Sequence, residues 1–179
     1  LEFRRVLFRS NDTIDGIDGT DNLIVTGGTA AVTMGGNWTV DGDTKNTTTA
    51  ADVTINVAGY DLDLSAATVT AGGVGYTVTN NGDAATITGS DAADDIAAGA
   101  LGDTIDGGAG DDTIADGAGA DTIDGGAGND TITLTAGEGI DTITVGSDND
   151  TIDGIDGTDN LIVTGGTAAV TMGEIGRAH

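Results

Sequence analysis

Apolar, mostly β-branched residues recur every nine positions along much of this chain. Val69, Val78, Ile87, Ile96, Ile105, Ile114, Ile123 and Ile132 keep the spacing without a break. After a two-residue slip at Leu134–Thr135 the row resumes at Ile143, Ile152, Leu161 and Val170, and Ile14, Leu23 and Val32 follow it near the start. The flanking residues are mostly Thr, as in Thr113-Ile114 and Thr131-Ile132-Thr133. Successive strand residues point to opposite faces, so the apolar member turns inward and its two neighbours outward. β-Branched residues suit such a strand. A strand of three residues does not stand alone and must stack on the next copy, so the pattern predicts an all-β array of short, stacked strands.

The residues between the strands are glycine-rich and acidic. Gly107–Thr133 reads GGAGDDTIA, DGAGADTID, GGAGNDTIT, three nonads in succession. The sixth position is Asp in every unit from Gly89 onward: Asp94, Asp103, Asp112, Asp121, Asp130, Asp141, Asp150 and Asp159. This nonad resembles the calcium-binding repeat of RTX (haemolysin-type) proteins, G-G-x-G-x-D-x-U-x. The resemblance implies a parallel β-roll of nine-residue half-coils, 18 residues per coil, with strands on opposite sides and the apolar rows meeting between them. It also implies several calcium ions, each held between turns two units apart on the same edge. Carried over by position, Asp112 pairs with Asp130 and Asp103 with Asp121. Gly107, Gly108, Gly110, Gly117, Gly119, Gly125, Gly126 and Gly128 shape the turns whose carbonyls share the ions.

The chemistry of the residues agrees with that expectation. Calcium takes six to eight oxygens from carboxylates and backbone carbonyls, and glycine lets carbonyls converge because it tolerates φ > 0. Asp also favours turns through local hydrogen bonds with no metal present, but eight Asp residues in one register are more than turn preference explains. Departures weaken particular sites: Ala92, Leu101 and Asp148 stand at the fourth position, and the slip at Leu134–Thr135 disturbs the pairing of Asp121 with Asp141. Upstream the sixth position is Ala67, Tyr76 and Ala85, so those coils keep the apolar row without the ligand.

Composition sharpens the electrostatics. The formal net charge is -25, with 32 glycines, no proline and no cysteine. Disulfides and thiolate metal sites are excluded; nucleic acid and anionic membrane surfaces are disfavoured as partners, and no direct membrane insertion is expected. Such a chain repels itself. Each buried Ile or Val contributes roughly 1.5–3 kcal/mol, and a row one residue wide leaves a gap that the cation fills. Nothing singles out a carboxylate pair for acid–base catalysis, so no enzymatic activity is expected.

The chain divides at 1–10, 11–35, 36–61, 62–88, 89–173 and 174–179. The first and last segments, LEFRRVLFRS and EIGRAH, resemble translated sequencing adapter and are set apart from the fold. With them set apart, neither true terminus of the protein is expected to be present. Asn11–Gly35 is a partial copy of the repeat, identical to Asn149–Gly173 at an offset of 138 residues; the identity reads as an array with a long period or as matching ends made by sequence assembly, and either implies a repetitive source gene. Residues 36–61 are an irregular, β-rich insertion, 62–88 are calcium-free coils, and 89–173 form the calcium-binding roll. The resemblance places the parent protein outside the bacterial cell or on its surface, exported by type I secretion. The neighbouring repeats are its partners, and the segment is a calcium-stiffened spacer in an adhesin-like array. The alternative is an accessory roll on a secreted enzyme or pore-forming toxin.

Overall fold

The computed structural model describes residues 5–8, 12–19, 22–26, 29–40, 44–46, 53–69, 75–135, 139–155 and 159–172. Among these the secondary structure is all strand, and every strand pairing is parallel. The described strands form a parallel β-roll, the fold that the repeat resemblance implies.

The strands stack in ladders. One begins with Asp12–Gly19, which pairs with the first half of Ala30–Thr39, and continues through Val53–Asn56, Thr77–Thr79, Asp95–Ala97, Thr113–Ala115, Thr131–Thr133, Asn149–Ile155 and Thr167–Met172. The second begins with Trp38 and Thr39, at the end of that same long strand. It continues through Leu62–Asp63, Thr86–Thr88, Thr104–Asp106, Thr122–Asp124, Thr142–Val145 and Asn160–Val163. Ala30–Thr39 therefore turns the corner between the two faces. From Asp95 onward consecutive strands alternate between these ladders, so each coil has two sides.

A third ladder exists only upstream. It stacks Arg5–Phe8, Asn22–Val25, Lys45–Asn46 and Thr68–Val69, so Arg5–Phe8 of the adapter-like segment is paired in the ladder and not set apart from the fold. Val69, Val78 and Ile87, nine residues apart, consequently lie on three different ladders. The spacing between strands persists across 62–88, but the cross-section there has three sides. Residues 36–61 contribute the end of Ala30–Thr39, then Lys45–Asn46 and Val53–Asn56, all in ladder register.

The core follows the cross-section. Upstream it is several residues wide: Leu23, Val25, Trp38, Val53, Ile55, Val57, Leu62, Leu64 and Tyr76 are all buried. Downstream it narrows to a line of Ile96, Ile105, Ile114, Ile123, Ile132, Ile143 and Ile152, one per strand as far as Thr131–Thr133 and joined by Val145 and Ile155 in the next two strands. The slip at Leu134–Thr135 lengthens one coil, so that Ile123 stacks on Ile143 and Ile132 on Ile152, and it buries Leu134.

Candidate metal centres

The turns of the roll are set by glycine. Gly108 and Gly110 have φ of +98° and +123°, and the same second and fourth nonad positions are left-handed at Gly117, Gly119, Gly126 and Gly128. An L-residue in this region loses roughly 1–2 kcal/mol. Room is absent as well: a Cβ on Gly110 would lie 2.5 Å from the backbone of Ala92 and Ala93 in the coil below. Turns stack on turns through their backbones, with the Ala109 N–H donating to Ser90 O at 3.0 Å and the Ala127 N–H to Gly108 O at 2.9 Å.

The sixth-position aspartates form two rows, one along each edge. Asp94, Asp112, Asp130 and Asp150 make one row, and Asp103, Asp121, Asp141 and Asp159 the other. All but the half-buried Asp159 are buried. Each carboxylate accepts the backbone N–H of its counterpart one coil earlier through Oδ1. Asp94 N–H reaches Asp112 at 2.7 Å, Asp112 reaches Asp130 at 2.9 Å, and Asp130 reaches Asp150 at 3.0 Å. On the other edge Asp103 N–H reaches Asp121 at 2.6 Å, Asp121 reaches Asp141 at 2.9 Å, and Asp141 reaches Asp159 at 3.1 Å. The coil lengthened by the slip keeps its Asp121–Asp141 link.

The second carboxylate oxygen divides these residues into two kinds. At Asp94, Oδ2 accepts the Ser90 N–H at 2.6 Å and the Ser90 hydroxyl at 3.0 Å, and Oδ1 accepts the Tyr76 N–H. At Asp103, Oδ2 accepts the Gly99 N–H at 3.0 Å, and Oδ1 accepts the Ala85 N–H and the Asn80 side-chain amide. The protein itself satisfies both groups. At Asp112, Asp121, Asp130 and Asp150, Oδ2 is buried with no hydrogen-bond partner.

For Asp112 and Asp130 the cause of the difference is local, whereas in the nonad of Asp150 neither Gly146 nor Asp148 is left-handed. In the nonads of Asp94 and Asp103 the second-position N–H points back at the Asp, and neither the second nor the fourth residue is left-handed. In those of Asp112 and Asp130 the second residue is a left-handed glycine. Its N–H turns instead to the last residue of the preceding unit: Gly108 donates to Asp106 Oδ1 at 3.1 Å and Gly126 to Asp124 Oδ1 at 3.2 Å.

An unpartnered buried carboxylate oxygen is expensive unless a cation or proton meets it. Beside Gly107 the space that a Cβ would fill is bounded by Asp112 Oδ2 at 2.6 Å and the Gly125 carbonyl at 2.5 Å, and beside Gly125 it is bounded by Asp130 Oδ2 at 2.5 Å. A hard divalent cation fits this donor set of carboxylate plus turn carbonyl. Asp112 with the Gly125 carbonyl could hold one, and the unpartnered Oδ2 atoms of Asp121, Asp130 and Asp150 could serve as ligands in the same way. A bound ion there neutralises the charge that the fold confines.

Without a cation the carboxyls bind protons instead. Burial pushes Asp112 up to about 7 against the pull of the Asp94 N–H, with Asp94, Asp130 and Asp111 adding repulsion. Burial likewise raises Asp121 and Asp130 to about 6; Asp141 and Asp103 add repulsion at the first, Asp150, Asp111 and Asp148 at the second. Asp94 is also raised by burial, although Ser90 and Tyr76 hydrogen bonds oppose the shift.

One residue of these edges escapes the sequence pattern. Asp116 is buried, occupies a first position where the adjoining units have Gly107 and Gly125, and accepts the Thr135 N–H at 2.9 Å. The signal was its departure from glycine inside the most regular stretch of the chain.

Residues 98–132 and 133–167 each match the family model of the RTX calcium-binding nonapeptide repeat (4 copies). This stretch therefore matches RTX calcium-binding repeats, and it contains the four aspartates that, among the described residues, bury an unpartnered oxygen. No curated protein and no solved structure matches the chain.

Proposed function

We propose that this chain is a non-catalytic, calcium-folded structural roll of a bacterial protein that works outside the cell, bound by several ions along its two edges. The observation that carries the reading is the set of buried, unpartnered Oδ2 atoms at Asp112, Asp121, Asp130 and Asp150 inside RTX repeats. Where calcium is scarce, as in a cytoplasm, repulsion among these groups opposes folding and keeps the chain extended for export. At extracellular calcium the ions bind only the folded roll, so binding free energy becomes folding free energy.

The same reading makes the roll a stiffened spacer in a tandem, adhesin-like array. The identity of Asn11–Gly35 with Asn149–Gly173 supports it.

Far-UV circular dichroism of the full chain, titrated with calcium and separately with magnesium, tests the folding claim. The expected result is a cooperative gain of β signal with calcium that a chelator reverses. A full β signal in chelator would sink it.

A further inference from the structure

Asp116 points to a site that the repeat pattern does not contain. The carboxylates of Asp116, Asp121 and Asp141 each place an oxygen within 4.8 Å of the others, and all three residues are buried. Asp116 and Asp121 are the first and sixth residues of one turn, and Asp141 is the sixth residue of the turn stacked upon it.

In the neighbouring nonads Oδ2 of the sixth residue lies against the first, as Asp112 Oδ2 does at Gly107 and Asp130 Oδ2 at Gly125. By the same geometry Asp121 Oδ2 faces position 116. That oxygen is buried without a hydrogen-bond partner, and Asp121 is only 2% exposed. Where the other turns leave an open cradle, this one projects a third carboxylate toward it. Three buried carboxylates this close repel one another unless a cation or protons lie among them, and a single divalent cation meets all three at once.

We propose that Asp116 is a direct ligand, making Asp116, Asp121 and Asp141 a distinct calcium site that fills first and starts the folding of the roll. The proposal rests on the calcium reading given above. Its added content is one ion held by three carboxylates instead of two. Affinity of oxygen sites for calcium rises with the charge of the ligand set. The other sites then bind turns already held in register.

Calorimetry of the full chain with calcium chloride tests this, using D116N, D116G and, as a control for general charge, D95N at an exposed strand residue. D116N keeps an oxygen to accept the Thr135 N–H but lacks the charge; D116G restores the repeat's own residue. The wild type is expected to show one step tighter than the rest. Both Asp116 variants should weaken that step by about tenfold or more, while β signal at saturating calcium and the remaining steps persist. D95N should leave it unchanged. A D116N isotherm matching wild type would overturn the proposal and reduce Asp116 to a turn acceptor. Equal weakening by D95N would also overturn it, by making the effect one of net charge. A wild type that binds several ions alongside unaltered Asp116 variants refutes only this inference. A wild type that binds none refutes the calcium reading with it.

Discussion

On the upstream side of Gly89, Trp38, Val53, Ile55, Val57, Leu62, Leu64 and Tyr76 fill a three-sided coil, and Asp94 and Asp103 at its border have protein donors on both oxygens. On the downstream side most strands bring a single Ile inward, and among the described residues four aspartates bury an oxygen with no hydrogen-bond partner. Both regions share ladders and a nine-residue rhythm. A wide apolar core with satisfied polar groups sustains itself. A core one residue wide between rows of buried carboxylates does not, and there the cation stands in for missing apolar area. The change occurs inside continuous ladders, so the upstream coils offer a preformed template on which the calcium-dependent coils stack.

The largest effect should come from removing ligands. Asp112→Asn with Asp130→Asn is expected to abolish most of the calcium-induced β signal by circular dichroism. Asp103→Asn, at a carboxylate the protein already satisfies, should leave the number of bound ions unchanged by calorimetry. Equal losses from both changes would erase the distinction between the two kinds of Asp.

Core truncation comes next and should read differently on the two sides. Trp38→Ala is expected to lose roughly 3–5 kcal/mol, and Ile123→Ala roughly 2–5 kcal/mol. Urea denaturation in chelator should reveal the first, whereas the second should be visible only with calcium present.

A smaller effect is expected at the turns. Gly110→Ala places a Cβ at φ +123° and against the coil below. It should raise the calcium midpoint of folding by at least the equivalent of ~1–2 kcal/mol. Gly99→Ala, where φ is not left-handed and the nearest backbone atom is 3.1 Å away, should shift it less.

Proton linkage gives the smallest and most diagnostic shift. In the metal-free roll Asp112 is raised from 3.8 to about 7, and Asp121 and Asp130 to about 6. Carboxyls raised in the folded state favour folding below about 3.8 and lose that contribution as pH climbs through 6 to 7. In chelator, lowering the pH from 8 toward 5 should therefore increase residual β signal. With calcium present the sign reverses, because protons compete for the same oxygens and the calcium midpoint rises as pH falls.

Much of this was legible in the chain. The row from Ile87 to Ile152 named the strands and their inward faces, because a period of nine with β-branched residues leaves little else to form. The Asp register marked both edges. The third side was not legible: Val69, Val78 and Ile87 keep the same spacing whether a coil has two sides or three, and only long-range pairing sets the cross-section. The difference between Asp103 and Asp121 was half visible, since Leu101 breaks the glycine pattern but gives no sign that Asn80 donates to Asp103. Asp116 lay outside the motif because it replaces a glycine, not an aspartate.

Hydrogen exchange with mass spectrometry on the full chain, in calcium and in chelator, tests the central contrast most directly. Protection across 53–88 should persist in both conditions, while protection across 107–155 should be present in calcium and lost in chelator. Equal protection of the two regions in chelator would contradict the account, because the buried aspartates would then need no ion.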